Sequence, residues 1–310
     1  MNITVFGGGG FIGSHICDLL IQKGYFVRIF EKPGVLKYRS FQVNEKIEWM
    51  TGDLLNKKDI CLALENTDVV IHLVSTTLPK NSNDDPIYDV QTNVVSSINI
   101  LDSMVKNNIK KIIFISSGGT VYGTPKYLPI NEQHQTNPEV SYGITKLTIE
   151  KYMILYKRLH DIKPVILRVS NPFGERQRVD TSQGAIGIFV TKALKGLPVE
   201  IWGDGSITRD YIYVSDVADA FLRAIHYNGC YDVFNIGTAK GVSLNDILDR
   251  IEKIEKIKIK RNYLPVRKFD VNVNILCNYL ASKELAWSPI KDFDSGLEKT
   301  INWIKNNIKD

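Results

Sequence analysis

The sequence is poor in cysteine and has no long hydrophobic run. Its 310 residues include four cysteines, which lie far apart and form no CxxC pair, so we expect neither a disulfide framework nor a bound metal. The apolar runs are much shorter than the ~20 residues of a membrane-spanning helix. The first residues lack the basic region and cleavage site of a signal peptide. These absences predict a cytoplasmic protein with no membrane partner.

Neither sign of charge dominates. Lys and Arg number 39 against 34 Asp and Glu, a net charge of +5 that is too small and too dispersed to indicate a nucleic-acid partner. The densest basic stretch, residues 252–261, alternates Lys with Ile and Glu, which favours a solvated amphipathic face over a polyanion site. Hydrophobic content of 44% and charged content of 24% are typical of a soluble globular protein.

The chain opens with a strand, a glycine turn and a helix. Residues 3–6 form an apolar run closed by glycines, residues 11–23 show helical spacing, and residues 25–30 form a second strand. Gly7, Gly10 and Gly13 recur in the turn, where only glycine lets backbone N–H groups approach a pyrophosphate closely. A plain tight turn is the alternative, but the strand–turn–helix context favours a dinucleotide site.

Glu31 stands at the end of the second predicted strand. A carboxylate there is placed to accept hydrogen bonds from both ribose hydroxyls and to repel a 2′-phosphate. This favours NAD over NADP as the cofactor, although Lys32 beside it argues in the other direction.

The same strand and helix pattern continues along the chain. Further strands are predicted at residues 47–50, 68–73, 110–116 and 164–168, and long helices at 88–106 and 141–160. Continuous apolar strands indicate a sheet covered on both faces, hence a doubly wound parallel (Rossmann) α/β fold. After Asn171 the sequence pattern changes, and it predicts polar loops, a helix near 187–195 and short strands. We predict a NAD-binding domain at 1–170, with 211–240 returning to it, and a small substrate-binding region at 171–210 and 241–310.

A tyrosine and a lysine four residues apart stand out on the predicted helix 141–160. The spacing places Tyr142 and Lys146 on one face, where the ammonium is expected to lower the pKa of the phenol. An ordinary exposed pair is the alternative. The catalytic interpretation gains weight because Ser116 and Ser117 end a predicted parallel strand, where open α/β sheets place their ligands.

Together these motifs resemble the extended short-chain dehydrogenase/reductases, and within them the nucleotide-sugar epimerase/dehydratase family related to UDP-galactose 4-epimerase. The resemblance covers nearly the whole chain. It rests on GGGGFIG at 7–13, GDL at 52–54, VVIHL at 69–73, Asn93, SSGGTVYG at 116–123, SYGITK at 141–146, LRVSNPFG at 167–174 and RDYIYVSDVADA at 209–220. It implies a nucleotide-sugar substrate, a role in polysaccharide biosynthesis, and a homodimer formed through the helices at 88–106 and 141–160.

The resemblance also implies roles for individual residues. The catalytic residues would be Ser117, Tyr142 and Lys146. Cofactor contacts would come from Gly7, Gly10, Phe11, Ile12, Gly13, Glu31, Asp53, Leu54, Leu73, Val74, Ser75, Asn93, Ser116, Tyr142 and Lys146. Substrate contacts would come from Ser117, Asn171, Arg209, Arg267 and Asp270. For Arg209 the alternative is an ion pair with Asp210 or Asp204.

The chain departs from the family pattern at Gly118, where many relatives carry serine or threonine. Ser117 is the nearest hydroxyl and is assigned the hydrogen bond to the sugar O4, with Ser116 and Thr120 as alternatives. The dehydratase branch carries an acidic pair where this chain has Gly119 and Thr120, which disfavours dehydration.

Two enzymatic functions fit these residues. The first is an NAD-dependent 4-epimerase of a nucleoside-diphosphate hexose, which oxidises C4 transiently and returns the hydride to the other face of the sugar. The alternative is an NAD(P)H-dependent reductase of a nucleotide-activated 4-keto-6-deoxysugar, which uses the same residues once. A non-catalytic NAD-sensing protein would be expected to lose Tyr142 or Lys146, and both are present.

Overall fold

The computed structural model describes residues 1–79, 81–178, 184–266 and 271–307. In chain order the strands are β1 (Asn2–Phe6), β2 (Phe26–Glu31), β3 (Ile47–Thr51), β4 (Val69–His72), β5 (Lys111–Ser117), β6 (Lys163–Val169), β7 (Asn171–Phe173), β8 (Val199–Trp202), β9 (Thr208–Arg209), β10 (Tyr211–Tyr213), β11 (Val233–Ile236), β12 (Val242–Ser243), β13 (Arg261–Leu264) and β14 (Val273–Asn274).

The helices in the same ranges are α1 (Phe11–Gln22), α2 (Lys57–Ala63), α3 (Pro86–Asp89), α4 (Ser96–Lys106), α5 (Ser141–His160), α6 (Ala185–Leu194), α7 (Val214–His226), α8 (Leu244–Glu255), α9 (Tyr279–Glu284) and α10 (Phe293–Asn307). A π-helical segment, Val90–Val95, joins α3 to α4. None of the helices in the described ranges is long and apolar enough to span a membrane.

A seven-stranded parallel sheet organises the molecule, in the order β11-β6-β5-β4-β1-β2-β3. From β1 the chain moves outward to β2 and β3, and it then returns to β4 on the other side of β1. The loops after β1 and β4 therefore diverge and leave a crevice at the carboxyl ends of these strands, where doubly wound folds bind their ligands. The predicted Rossmann fold is confirmed.

Alternate residues of each strand feed two separate cores, one on each face of the sheet. Val5 packs in the core beneath α1 and α7, whereas the next residue, Phe6, packs in the core beneath α2, α4 and α5. On β5, Ile113 and Phe114 divide in the same way. Burial on both faces explains why the strands are continuously apolar.

A third core lies beyond the large sheet. Phe173 and the buried faces of α6, α8 and α10 build it, together with short strands such as β8 and β10. Within the predicted substrate-binding range, however, Ala281, Leu285 and Trp287 pack in the core of the large sheet. The division of the chain into two functional regions stays a prediction.

Candidate active site

The turn between β1 and α1 is built so that only glycine fits. Gly7 has a φ of +86°, and a β-carbon on Gly13 would overlap Gly7 O and lie 2.8 Å from Gly8 Cα. Gly10, which precedes the first helical residue, has no capping side chain, and a β-carbon there would meet only Gly7 O. The amino end of α1 thus offers uncapped N–H groups beside open space, which fits the pyrophosphate of a dinucleotide.

Glu31, the last residue of β2, is fixed against this turn. Its Oε1 accepts a hydrogen bond from Gly9 N at 2.8 Å, and burial raises the pKa of its carboxyl. Gly52 N, just after β3, donates to Glu31 O at 2.9 Å. Asp53, which follows Gly52, therefore lies at the same end of the sheet as Glu31. The structure thus places Glu31 against the glycine turn and Asp53 at the same end of the sheet.

The loop after β4 closes the other side of the turn. Val74 lies against Gly7, because a β-carbon there would be 3.2 Å from Val74 Cγ2. Asn93, in the π-helical segment, accepts from Thr76 N at 3.0 Å and donates to Asp89 Oδ1 at 2.8 Å. Its amide therefore holds the loop in place.

Tyr142 and Lys146 lie on the first turns of α5, against the end of β5. Lys146 Nζ is 5.6 Å from the centroid of the Tyr142 ring and 4.8 Å from that of Phe114. It donates a hydrogen bond to Ile115 O at 3.1 Å. The predicted pair thus shares one face, and Lys146 is buried, with 3% of its surface exposed.

Burial controls the protonation of both groups. It raises the pKa of Tyr142 to about 12, with a further contribution from the Asp89 carboxylate and an opposing one from Ser75. It lowers the pKa of Lys146 to about 8, against the opposing effect of Asp89 and Glu150. The predicted lowering of the tyrosine pKa is wrong for the chain alone, because desolvation of the phenolate and the Asp89 carboxylate both raise the pKa.

The candidate hydroxyls at the end of β5 face different surroundings. Ser116 Oγ is buried and donates to Glu150 Oε1 at 2.5 Å. Thr120 Oγ1 is buried and has no hydrogen-bond partner among the described residues. A β-carbon on Gly119 would lie 3.9 Å from Ser117 Oγ, and Ser117 is half-buried. Of the three hydroxyls, that of Ser117 has the access that a substrate contact requires.

Asn171 lies close to Ser117 across Gly119. A β-carbon on Gly119 would lie 4.0 Å from Asn171 Oδ1, and Asn171 Nδ2 donates to Asp210 O at 3.0 Å. The structure therefore brings the amide oxygen of Asn171 and the hydroxyl of Ser117 to the same side of Gly119.

The remaining predicted substrate residues are only partly described. Arg209 Nη1 donates to Thr208 O at 3.0 Å. The Asp210 carboxylate, its alternative partner, accepts from Thr238 Oγ1 at 2.7 Å and from Leu276 N at 3.3 Å. Arg267 and Asp270 lie outside the described residues. The residue assignments to cofactor and substrate stay predictions.

Three polar residues that bind the start of α5 from the loop after β4 and from α3 were not identified from the sequence. Asn83 Oδ1 accepts from Ser141 N at 2.9 Å, Ser82 Oγ accepts from Tyr142 N at 3.0 Å, and Asp89 Oδ2 accepts from Ser141 Oγ at 2.6 Å. The spacing of four residues between Asp89 and Asn93, which places the two side chains on one helix face, is a local signal that could have indicated this cluster.

A dinucleotide cradle and a half-buried tyrosine beside a buried lysine, set at the carboxyl ends of a Rossmann sheet, define a nucleotide-dependent redox site. The chain belongs to the NAD dependent epimerase/dehydratase family, whose family model matches residues 3–237. The cofactor is NAD, and the glycine turn and Glu31 fit it. The expected family and the expected cofactor are confirmed.

The individual relatives are nucleotide-sugar enzymes. A putative UDP-glucose 4-epimerase of Methanocaldococcus jannaschii is 40% identical and covers 98% of this chain and 99% of its own. A dTDP-4-dehydro-6-deoxyglucose reductase of Escherichia coli is 33% identical, covering 98% and 97%. A crystal structure of UDP-glucose 4-epimerase with UDP-glucose from Thermotoga maritima has a TM-score of 0.94 at 33% identity, with all of both chains covered. The protein is therefore an enzyme whose homologues act on nucleotide sugars.

Proposed function

We propose that the protein is an NAD-dependent 4-epimerase of a nucleoside-diphosphate hexose, with UDP-glucose and UDP-galactose or their N-acetyl analogues as substrates. The observation that carries the proposal is Glu31, held by Gly9 N at 2.8 Å at the ribose end of a site that contains Tyr142 and Lys146. A fixed carboxylate there selects a cofactor without a 2′-phosphate, which suits an enzyme that retains NAD. The similarity to 4-epimerases supports the same conclusion.

The residues of the site have separate tasks in this reaction. Bound NAD supplies a hydride acceptor that also returns the hydride to C4. Tyr142 takes the proton from O4, and Ser117 donates a hydrogen bond to the same oxygen. The pKa of Tyr142 is about 12 in the chain alone, and in this reaction the Lys146 ammonium on the same face favours the phenolate form.

The second candidate is the reduction of a nucleotide-activated 4-keto-6-deoxysugar. The Escherichia coli reductase, 33% identical, favours it. In that reaction Tyr142 would donate a proton to O4 once per turnover, and NAD(P)H would be consumed.

Product analysis separates the two candidates. The purified protein is incubated with UDP-galactose or UDP-N-acetylgalactosamine and the products are followed by NMR, with and without added cofactor. An epimerase reaches a mixture of C4 epimers with no net change in nicotinamide absorbance, and mass spectrometry of the denatured protein finds released NAD. If no C4 epimer forms from UDP-, dTDP- or GDP-hexoses while a 4-keto-6-deoxy nucleotide sugar consumes NAD(P)H stoichiometrically, the reductase replaces our proposal. Tyr142→Phe serves as the inactive control in both assays.

A further inference from the structure

Asp89, the last residue of α3, is a carboxylate with no solvent exposure. Its Oδ1 accepts hydrogen bonds from Thr77 Oγ1 at 2.5 Å and Asn93 Nδ2 at 2.8 Å, and its Oδ2 accepts from Ser141 Oγ at 2.6 Å. Thr145 Oγ1 is 3.4 Å from Oδ2. A buried carboxylate is costly unless such partners and a nearby positive charge compensate for it. The cluster therefore joins three parts of the fold around one carboxylate: the start of α5, the loop after β4 and the π-helical segment.

The first part is the start of α5, which has no cap of its own. Val140 precedes the helix and provides no side-chain hydrogen bond. The first two backbone N–H groups donate instead to Asn83 Oδ1 and Ser82 Oγ, in the loop after β4. Asp89 bonds both to Thr77 of that loop and to Ser141 of the helix. It thus links the loop to the turn that carries Tyr142.

The Lys146 ammonium belongs to the same helix, α5. The groups that face it are Asp89 from α3, Glu150 and Tyr142 from its own helix, and His72 from β4. Burial lowers the pKa of His72 to about 3, so this ring is neutral. Glu150 is already paired with Arg168, whose Nη2 lies 2.6 Å from its Oε2. Asp89 is therefore the carboxylate whose charge is left to balance the lysine.

We propose that Asp89 is a positioning residue of this active site. Its carboxylate fixes the first turn of α5, and with it Tyr142. Its negative charge lies 3.4 Å from Thr145 Oγ1 and acts on the adjacent residue, Lys146. The kinetic part of this inference rests on the proposed function, whereas the effect on Lys146 does not.

Asp89→Asn tests the electrostatic part, because it keeps the size of the side chain and removes the charge. The pKa of Lys146 is read by NMR titration of protein with ¹³C-labelled lysine, and Lys146→Met identifies the resonance. We expect the Lys146 pKa to fall from about 8 by about one unit in Asp89→Asn, because an opposing negative charge is lost.

The matched control is Asp102→Asn. Asp102 also joins α4 to α5, since it accepts from Tyr156 Oη at 2.5 Å, but Tyr156 lies near the other end of α5. We expect the Lys146 pKa to stay at its wild-type value in this variant. An unchanged Lys146 pKa in Asp89→Asn, or an equal fall in Asp102→Asn, would overturn the electrostatic role.

Ser141→Ala tests the positioning part, because it removes one contact of Asp89 and leaves the charge in place. We expect kcat to fall several-fold while NAD content and the pH profile stay unchanged. In Asp89→Asn the pH profile of kcat should move to lower pH. Its rising limb follows the pKa of Tyr142 and its falling limb that of Lys146, and loss of the Asp89 charge lowers both pKa values. Wild-type kcat in Ser141→Ala would overturn the positioning role. If no hexose is epimerised, the proposed function fails, but the NMR titration still decides the effect on Lys146.

Discussion

Leu276 lies directly against Gly118, so that a β-carbon on Gly118 would collide with Leu276 Cδ1. The backbone of Gly118 is held on both sides, since its N–H donates to Val169 O at 2.9 Å and its carbonyl accepts from Asn274 Nδ2 at 3.2 Å. A serine or threonine at this position would displace Leu276. We therefore expect the catalytic hydroxyl to come from a neighbouring residue.

The first prediction concerns the stability of variants at this turn. Gly118→Ser should lower the free energy of unfolding by roughly 1–3 kcal/mol, because Leu276 has to move to make room. Gly119→Ser is the matched control, since its β-carbon would make only ordinary contacts at 3.9 and 4.0 Å. Urea unfolding of both variants measures the difference, and equal losses would contradict the packing argument.

The second prediction assigns the hydroxyl. Ser117→Ala should reduce kcat roughly 10²-fold, the scale of losing one hydrogen bond that stabilises a developing charge. Thr120→Val should keep near-wild-type kcat, because Thr120 Oγ1 is buried and without a partner in the described structure. Loss of activity in Thr120→Val but not in Ser117→Ala would reverse the assignment.

The third prediction is that Tyr142→Phe loses ~10²–10⁴-fold in kcat, the contribution of one proton-transferring group. The ring stays in place, so NAD content and the melting temperature should remain near those of the wild type. Turnover within a few-fold of the parent enzyme would show that another group moves the proton.

The fourth prediction concerns cofactor choice. Glu31→Ala should weaken NAD binding and reduce the preference for NAD over NADP. The change removes the carboxylate that accepts hydrogen bonds from the ribose hydroxyls and that repels the 2′-phosphate of NADP. Glu48→Ala, which deletes an exposed carboxylate paired with Arg28 at 2.7 Å, controls for net charge and should bind NAD normally. Titration with both nucleotides tests this, and a parent enzyme that already prefers NADP would refute the role of Glu31.

The fifth prediction is a two-fold homodimer. Exposed apolar side chains collect on the helices from α3 to α5, namely Ile87, Tyr88, Val90, Val95, Ile144, Leu155 and Leu159. Such a face on neighbouring helices favours an isologous interface with a second copy. Leu159→Asp should weaken the dimer in analytical ultracentrifugation, whereas Leu62→Asp, an exposed leucine on α2, should not. A monomeric parent at micromolar concentration would refute the prediction.

Local signals in the sequence carried most of the fold and part of the site. The glycine turn and Glu31 were predictable because their spacing lies within one βαβ unit, and the helix Ser141–His160 follows from its own periodicity. Asn83 and Ser82 were not predictable, because they contact α5 across 58 and 60 residues of sequence. The raised pKa of Tyr142 was also missed, because the depth of burial depends on how β4, β5 and α5 pack and has no signature in a pair of residues.

The first N–H groups of α5 are capped by Asn83 and Ser82 from the loop after β4, so the start of this helix depends on that loop. An isolated helix end frays unless its first N–H groups find partners, and here those partners arrive only when the loop after β4 docks. We therefore expect Tyr142 to lie on a frayed helix end whenever that loop is undocked. In the folded enzyme, local opening of the same loop would silence catalysis first and leave the sheet intact, and amide exchange at Ser141 and Tyr142 would report it.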